Sequence, residues 1–455
     1  MRISDDVVCA LRDSDDGPVC AYVYDLAGLR THAAAAVRAL PDGYELFYAL
    51  KANSERPIIE ALAGVVAGFE VGSAGEIELV RAAAPDAPIV FGGPGKTDAA
   101  LAAAARHGVA AVHVESVHEL RRAEYVAAAV GVVLPIAVRV NLAGPLPVAT
   151  LAMAGRPTQF GVDERDVPAV LAEARRSRHL DVVGFHLHCI SNHHDAPAHA
   201  QLVGRYLELA RRWASDAGTD LRVVNAGGGI GVDYAAPERP FDWSAFCAEL
   251  PASSPVGIRF ECGRYLAAAW GAYIAEVIDV KTNHGEAFAV VRGGTHHFRL
   301  PASWGHSHPF TVVPVEEWRY PFPRPGVRHR RVTVAGELCS PKDVLARDVV
   351  VDELRAGDLI WFHHAGAYGW SISHHDFLNH PHPRRLFLGA ASDSDLLEPD
   401  GDAAAALGLG HQAAGETGGR RVGQPVAQAA RLAAHEEAGT PVMRNGEQFG
   451  EPFRR

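Results

Sequence analysis

The sequence predicts an α/β protein: a (β/α)8 TIM barrel, then a mainly antiparallel β domain, then a disordered tail. Three observations carry this. From about residue 28 to 275, short apolar runs alternate with Ala/Leu/Arg-rich helical patterns, the mark of parallel strands joined by helices. Eight such runs occur, over 44–51, 66–71, 88–92, 111–114, 136–141, 182–188, 223–226 and 257–261, and eight units over about 250 residues close a barrel. After Arg264 the texture changes to alternating segments between Pro- and Gly-rich turns.

The elements follow in order. The run 19–24 is strand-like and joins the β domain, so residues 1–27 form an N-terminal segment of that domain. Helical stretches over 57–66, 74–84, 98–107, 117–130 and 199–217 separate the barrel strands, and the barrel spans 28–274. Segments 287–292, 331–334 and 358–362 are strands of the β domain, 275–390. From 391 to 455 the chain is Gly/Ala/polar with few aromatics, low in complexity at 403–410, with one helical pattern at 425–438. No repeat of fixed period is visible.

Composition narrows the function. Hydrophobic content of 48% and charged content of 21% are those of a globular protein with ample core. A net charge of −11 excludes a general nucleic-acid-binding role. The start has no apolar stretch after a basic one, and no apolar run reaches membrane-spanning length. The cysteines, Cys9, Cys20, Cys189, Cys247, Cys262 and Cys339, are scattered with no CxxC pair, which fits neither a zinc framework nor a disulfide scaffold. These features read as a reduced, cytoplasmic protein without nucleic-acid or membrane partners.

Barrel enzymes build their sites on the loops that follow the strands. The first strand ends at Lys51, in Tyr48-Ala49-Leu50-Lys51-Ala52-Asn53. A lysine there is paired, neutralised or covalently used, for example as an imine with pyridoxal phosphate (PLP), or it snorkels out of the barrel mouth. The second strand leads into Glu70-Val71-Gly72-Ser73, and the sixth delivers His186-Leu187-His188-Cys189-Ile190-Ser191. The seventh opens into Gly227-Gly228-Gly229-Ile230-Gly231, where backbone N–H groups can converge on an anion or form a plain flexible turn. The eighth ends Glu261-Cys262-Gly263-Arg264. Arg264 suits the same phosphate, and Glu261 suits either a pyridine nitrogen or a structural arginine. His188 either stacks on a cofactor ring or is a bonded barrel histidine. In the β domain, Gly336-Glu337-Leu338-Cys339-Ser340-Pro341-Lys342-Asp343 and Gly366-Ala367-Tyr368 stand out. Cys339 is a candidate proton donor or a small buried hydrophobe.

In this order the motifs resemble the fold-type III PLP decarboxylases, the ornithine/diaminopimelate/arginine decarboxylase family related to alanine racemase. The likeness covers about residues 20–390. It implies that Lys51 holds PLP covalently and that Glu70 also contacts the cofactor. His188 would stack on the ring, and Glu261 would pair with the ring nitrogen. Ser191, Gly228, Gly229, Gly231 and Arg264, helped by Tyr368, would cradle the phosphate. It also implies a homodimer in which Cys339 and Asp343 reach the partner's site.

Three positions depart from the family pattern. Ser340 replaces the glutamate that usually follows the cysteine in diaminopimelate decarboxylases, which argues against meso-diaminopimelate. Cys262 replaces a proline and Gln159 a lysine, and neither removes a catalytic group. The segments 292–310 and 373–383, rich in histidine, are similar to the carboxylate-siderophore subgroup of staphyloferrin B type. That likeness implies decarboxylation of an amino-acid unit already joined to citrate, with His296, His297 and Arg299 binding the extra carboxylates. Ligand spacing is too loose for a metal site, and none is expected. The alternatives are a decarboxylase of free lysine, ornithine or diaminopimelate, a racemase, and an inactive regulatory homologue.

Overall fold

The computed structural model describes residues 5–12 and 17–389. The expected tail, including its helical pattern at 425–438, lies outside the described residues. Eight parallel strands form a closed barrel: Asp42–Ala49, Gly68–Val71, Ile89–Phe91, Ala111–Val114, Leu134–Asn141, Leu180–His186, Val223–Asn225 and Ser253–Cys262. Each pairs with the next, and the eighth returns to the first, with Phe260 opposite Leu46. A short strand, Val162–Asp163, adds to the fifth.

The eight expected runs are these strands, with one informative shift. The first strand stops at Ala49, and Leu50–Ala52 forms a 3-10 turn, so Lys51 projects from a turn rather than from the sheet. Two bonds draw the chain out of the strand: Tyr48 Oη donates to the Asn53 carbonyl at 3.0 Å, and the Tyr368 N–H donates to the Ala52 carbonyl at 2.7 Å.

Helices begin soon after the strands end because polar side chains cap them. Ser73, Thr97 and Ser116 each accept the N–H three residues on. Each such cap contributes about 1 kcal/mol and fixes where the loop stops. Two helices outside the expected set, Val167–Ala174 and Trp243–Glu249, fill the remaining crossovers.

The period of two along a strand sorts the barrel interior into layers. Phe47, Val90, Ala111, Ala137, Val183 and Val223 pack together as an apolar floor. Two residues onward, His113, Arg139 and Asn225 make the next layer polar, and it is also buried. The site stands on this polar layer.

The β domain pairs Gly271–Asn283 with Glu286–Val291, Leu359–Phe362 and the N-terminal strand Cys20–Asp25, all antiparallel. Gly326–Ala335 and Val344–Arg355 extend it. Cys20–Asp25 also lies parallel to the last strand, Arg384–Leu388, so the two ends of the described chain share one sheet. Among the described residues no helix is long and apolar enough to cross a membrane.

Candidate active site

Lys51 points into the barrel mouth with its side chain half exposed, and its Nζ lies 2.6 Å from Glu70 Oε2. Desolvation works to lower the pKa of the amine, but Glu70, then Tyr368 and Glu261, outweigh it and hold the amine above its ordinary value. Burial raises the carboxyl of Glu70, and Lys51 opposes that rise. The loop carrying Tyr368 is stitched onto this turn: Asn53 Nδ2 donates to the Gly366 carbonyl at 3.1 Å, and Ser371 Oγ to the Lys51 carbonyl at 3.2 Å.

Lys51 lines a cavity of about 290 Å³ with His188, Ser191, Gly228, Gly229, Ile230, Glu261, Gly263, Arg264, Trp304 and Tyr368. The glycine run is packed too closely for side chains. A Cβ on Gly228 would stand 2.1 Å from the Glu261 carbonyl, and one on Gly229 (φ +93°) 2.4 Å from the Ile190 carbonyl. The N–H groups of Gly229 and Ile230 have no partner among the described residues, whereas Gly228 N–H donates to His188 Nδ1 at 3.2 Å. Gly231 stands outside the lining, and its N–H donates to the His193 carbonyl.

Arg264 is buried without a carboxylate partner among the described residues. Its Nη1 donates to Tyr234 Oη at 2.8 Å, and its guanidinium centre lies 4.0 Å from the Trp304 ring and 4.5 Å from the Tyr368 ring. Aromatic faces return about 2 kcal/mol to a desolvated cation, while desolvation costs several. The imbalance favours an anion arriving from outside.

Glu261, buried, accepts from Asn225 Nδ2 at 2.6 Å, with His186 Nε2 3.2 Å from its other oxygen. Glu261 lines the cavity that holds Lys51. Burial first, then Arg139 and Lys51, holds His188 well below the usual histidine pKa, so its ring is neutral and suited to stacking. Lysine amine, phosphate-suited turn with a buried arginine, neutral imidazole and buried carboxylate together fit PLP. The ring, aldehyde and phosphate each find a group of matching chemistry.

A family model described as "Pyridoxal-dependent decarboxylase, pyridoxal binding domain" matches residues 26–268. The chain belongs to the pyridoxal-dependent decarboxylases. It is 44% identical, over 87% of its length and the whole of the relative, to the Staphylococcus aureus enzyme named 2-[(L-alanin-3-ylcarbamoyl)methyl]-2-hydroxybutanedioate decarboxylase. It is 32% identical to a diaminopimelate decarboxylase of Pseudomonas fluorescens, over 77% of this chain and 83% of the relative. Among solved structures, Helicobacter pylori diaminopimelate decarboxylase complexed with L-lysine matches with a TM-score of 0.71 and 27% identity, over 82% of this chain and 92% of that one.

Other expected residues of this decarboxylase lie elsewhere. Cys339 is exposed and does not line the Lys51 cavity. Asp343 is buried, with one oxygen accepting from Thr295 N and Oγ1 at 2.6 and 2.8 Å and the other from Leu338 N at 2.8 Å. It anchors the cysteine loop and is turned away from solvent. His296 and His297 are fully buried, and burial lowers their pKa to about 4 and about 2. Neutral and enclosed, they are placed to pack; of the proposed trio only Arg299 is exposed. Among the described residues, the histidine and acid side chains close enough to share a metal are His113, His186 and Glu261, and the nearby cations Lys96 and Arg139 oppose one there.

A larger cavity of about 700 Å³ holds Arg299, Lys342 and Arg347, with His306, Ser340 and His374. It lacks Lys51 and the glycine run, so the chemistry belongs in the smaller cavity. Sequence reading missed Asn225, Tyr234 and Trp304. Asn225, directly before Ala226-Gly227, carried a positional signal. Trp304 and Tyr234 meet Arg264 only through the fold.

Proposed function

We propose that this decarboxylase acts on a diamino acid joined by an amide to citrate, removing CO2 from the amino-acid end, as a step of siderophore biosynthesis. The observation that carries the reading is the three-cation cavity. In a chain of net charge −11, Arg299, Lys342 and Arg347 share one concavity, are exposed, and have no carboxylate partner among the described residues. The one carboxylate lining it, Asp343, is consumed by its own hydrogen bonds. A substrate with several carboxylates suits such a surface, since arginine offers a fork of donors. The name of the Staphylococcus aureus relative describes a substrate of this composition.

The roles follow from the residues. Bound PLP supplies an electron-withdrawing ring that accepts the electron pair left at Cα when CO2 departs. Lys51 would hold the cofactor through its Nζ. Glu261 would keep a proton on the ring nitrogen, His188 would offer its neutral imidazole to the ring, and Arg264 with the glycine turn would hold the phosphate.

A CO2-release assay with free and citrate-joined diamino acids tests the substrate. Arg299→Ala should raise KM for the citrate conjugate about tenfold and leave free diamino acids nearly unchanged. Equal losses on both would refute the role of Arg299. Faster turnover of free diaminopimelate, ornithine or lysine than of the conjugate would favour the free-amino-acid reading, which the 32% relative supports.

The same reading includes a cytoplasmic homodimer. The six cysteines are free, which suits a reducing compartment. Cys339 projects from a loop pinned at Asp343 and at Glu337, whose carboxylate accepts the Gly293 N–H at 2.9 Å. A rigid loop with an exposed thiol outside its own site suits delivery to a second copy. Lys51→Ala and Cys339→Ala proteins, each impaired alone, should regain roughly one quarter of wild-type activity when mixed and re-equilibrated. No recovery from subunits shown to exchange would argue that each site is complete within one chain.

A further inference from the structure

The polar barrel layer beneath Glu261 contains groups that the mechanism leaves unused. Asn225 Oδ1 accepts the Gly227 N–H at 2.9 Å, so its amide nitrogen faces the other way. One amide hydrogen goes to Glu261 Oε1 at 2.6 Å, and the other points to His113 Nε2 at 3.3 Å. That imidazole nitrogen therefore accepts, and the His113 proton sits on Nδ1, 3.8 Å from the same Glu261 oxygen. His186 Nε2 lies 3.2 Å from Glu261 Oε2, and neither ring nitrogen of His186 has a hydrogen-bond partner among the described residues. The two imidazoles stack with centroids 4.0 Å apart. Burial first holds both well below the usual histidine pKa, with each other or nearby cations adding to it, so both are neutral. Three neutral groups thus face one buried carboxylate from inside the barrel: Asn225 through a hydrogen bond, and the two imidazoles edge-on at 3.2 and 3.8 Å.

We propose that Asn225, backed by His113 and His186, is a positioning residue that ties Glu261 and the phosphate-binding turn into a single unit. One amide group fixes both: its nitrogen holds the carboxylate assigned to the ring nitrogen, and its oxygen holds the first residue of the glycine run. The inference rests on the reading of the site as a PLP site. It adds a prediction that reading alone does not make, namely that one substitution disturbs cofactor affinity and ring chemistry together.

Asn225→Asp is nearly isosteric and places an acid oxygen against Glu261. Two buried carboxylates in contact cannot both stay ionised. In the full-length protein we expect PLP affinity, measured by titrating the apoprotein, to fall about tenfold or more. We expect kcat to fall about 100-fold with KM within about threefold, and the absorbance of bound cofactor to become pH-dependent between roughly pH 6 and 8. His186→Phe, which removes the polar edge beside Glu261, should lower kcat about tenfold, and His186→Gln, which returns an N–H group there, should recover most of it. The proposal is overturned if Asn225→Asp keeps either PLP affinity or kcat within about threefold of wild type. If that variant does not fold by circular dichroism, the His186 pair decides, and equal behaviour of Phe and Gln overturns it. A wild-type protein that binds no PLP would instead remove the reading of the site itself.

Discussion

Lys51→Ala should lose the visible absorbance of bound cofactor and at least about 1000-fold in turnover. The expectation follows from position rather than from residue type. Lys51 is the amine that lines the cavity with the glycine turn, Glu261 and Arg264. Its partner Glu70 is itself buried, so removing the ammonium leaves a carboxylate in low dielectric that must take up a proton. The fold should survive, because the turn is held by backbone and side-chain bonds from Tyr48, Tyr368 and Ser371. Absorbance, circular dichroism and CO2 release measured on one preparation separate loss of chemistry from loss of structure. A normal visible band with full turnover would refute the assignment of Lys51.

Glu261→Gln should lower kcat about 100- to 1000-fold while changing KM little. The substitution keeps size and hydrogen bonding: the new amide can turn its oxygen to Asn225 Nδ2 and its nitrogen to His186. What disappears is the charge. A neutral amide cannot hold a proton at the ring nitrogen, so the electron sink weakens after substrate has bound. An unchanged kcat would mean that the carboxylate is structural, a partner for the buried imidazoles and nothing more.

The barrel was legible because strand and helix periods differ, and the eight apolar runs recur between helical patterns. The placing of Lys51, the glycine run and Arg264 at the barrel mouth was legible because each stands at or directly after a strand end, where a barrel puts its loops, although the 3-10 turn that carries Lys51 read as the last residues of the strand. The histidine pair at 296 and 297 shows what sequence hides. Beside Arg299, two histidines read as ligands for an anion, yet both are buried, His297 against Cys20 and Trp370 and His296 against His297 and His380, and burial keeps them uncharged. The bonds that occupy Asp343 were equally hidden, since two of them come from Thr295, some fifty residues back, and a third from Leu338 N. The long strand Gly271–Asn283 directly follows the barrel's last helical turn, so the change of texture after Arg264 marked the new domain without marking where its first strand begins.

The pairing of Cys20–Asp25 with Arg384–Leu388 has a consequence for biosynthesis. A ribosome makes the first of these strands early and its neighbour more than 350 residues later. Until that neighbour emerges, one edge of the nascent sheet stays open, and open edges recruit other chains. Translation past residue 388 is therefore the step that covers the edge of Cys20–Asp25, and premature termination upstream of it should yield aggregating product rather than a smaller working catalyst.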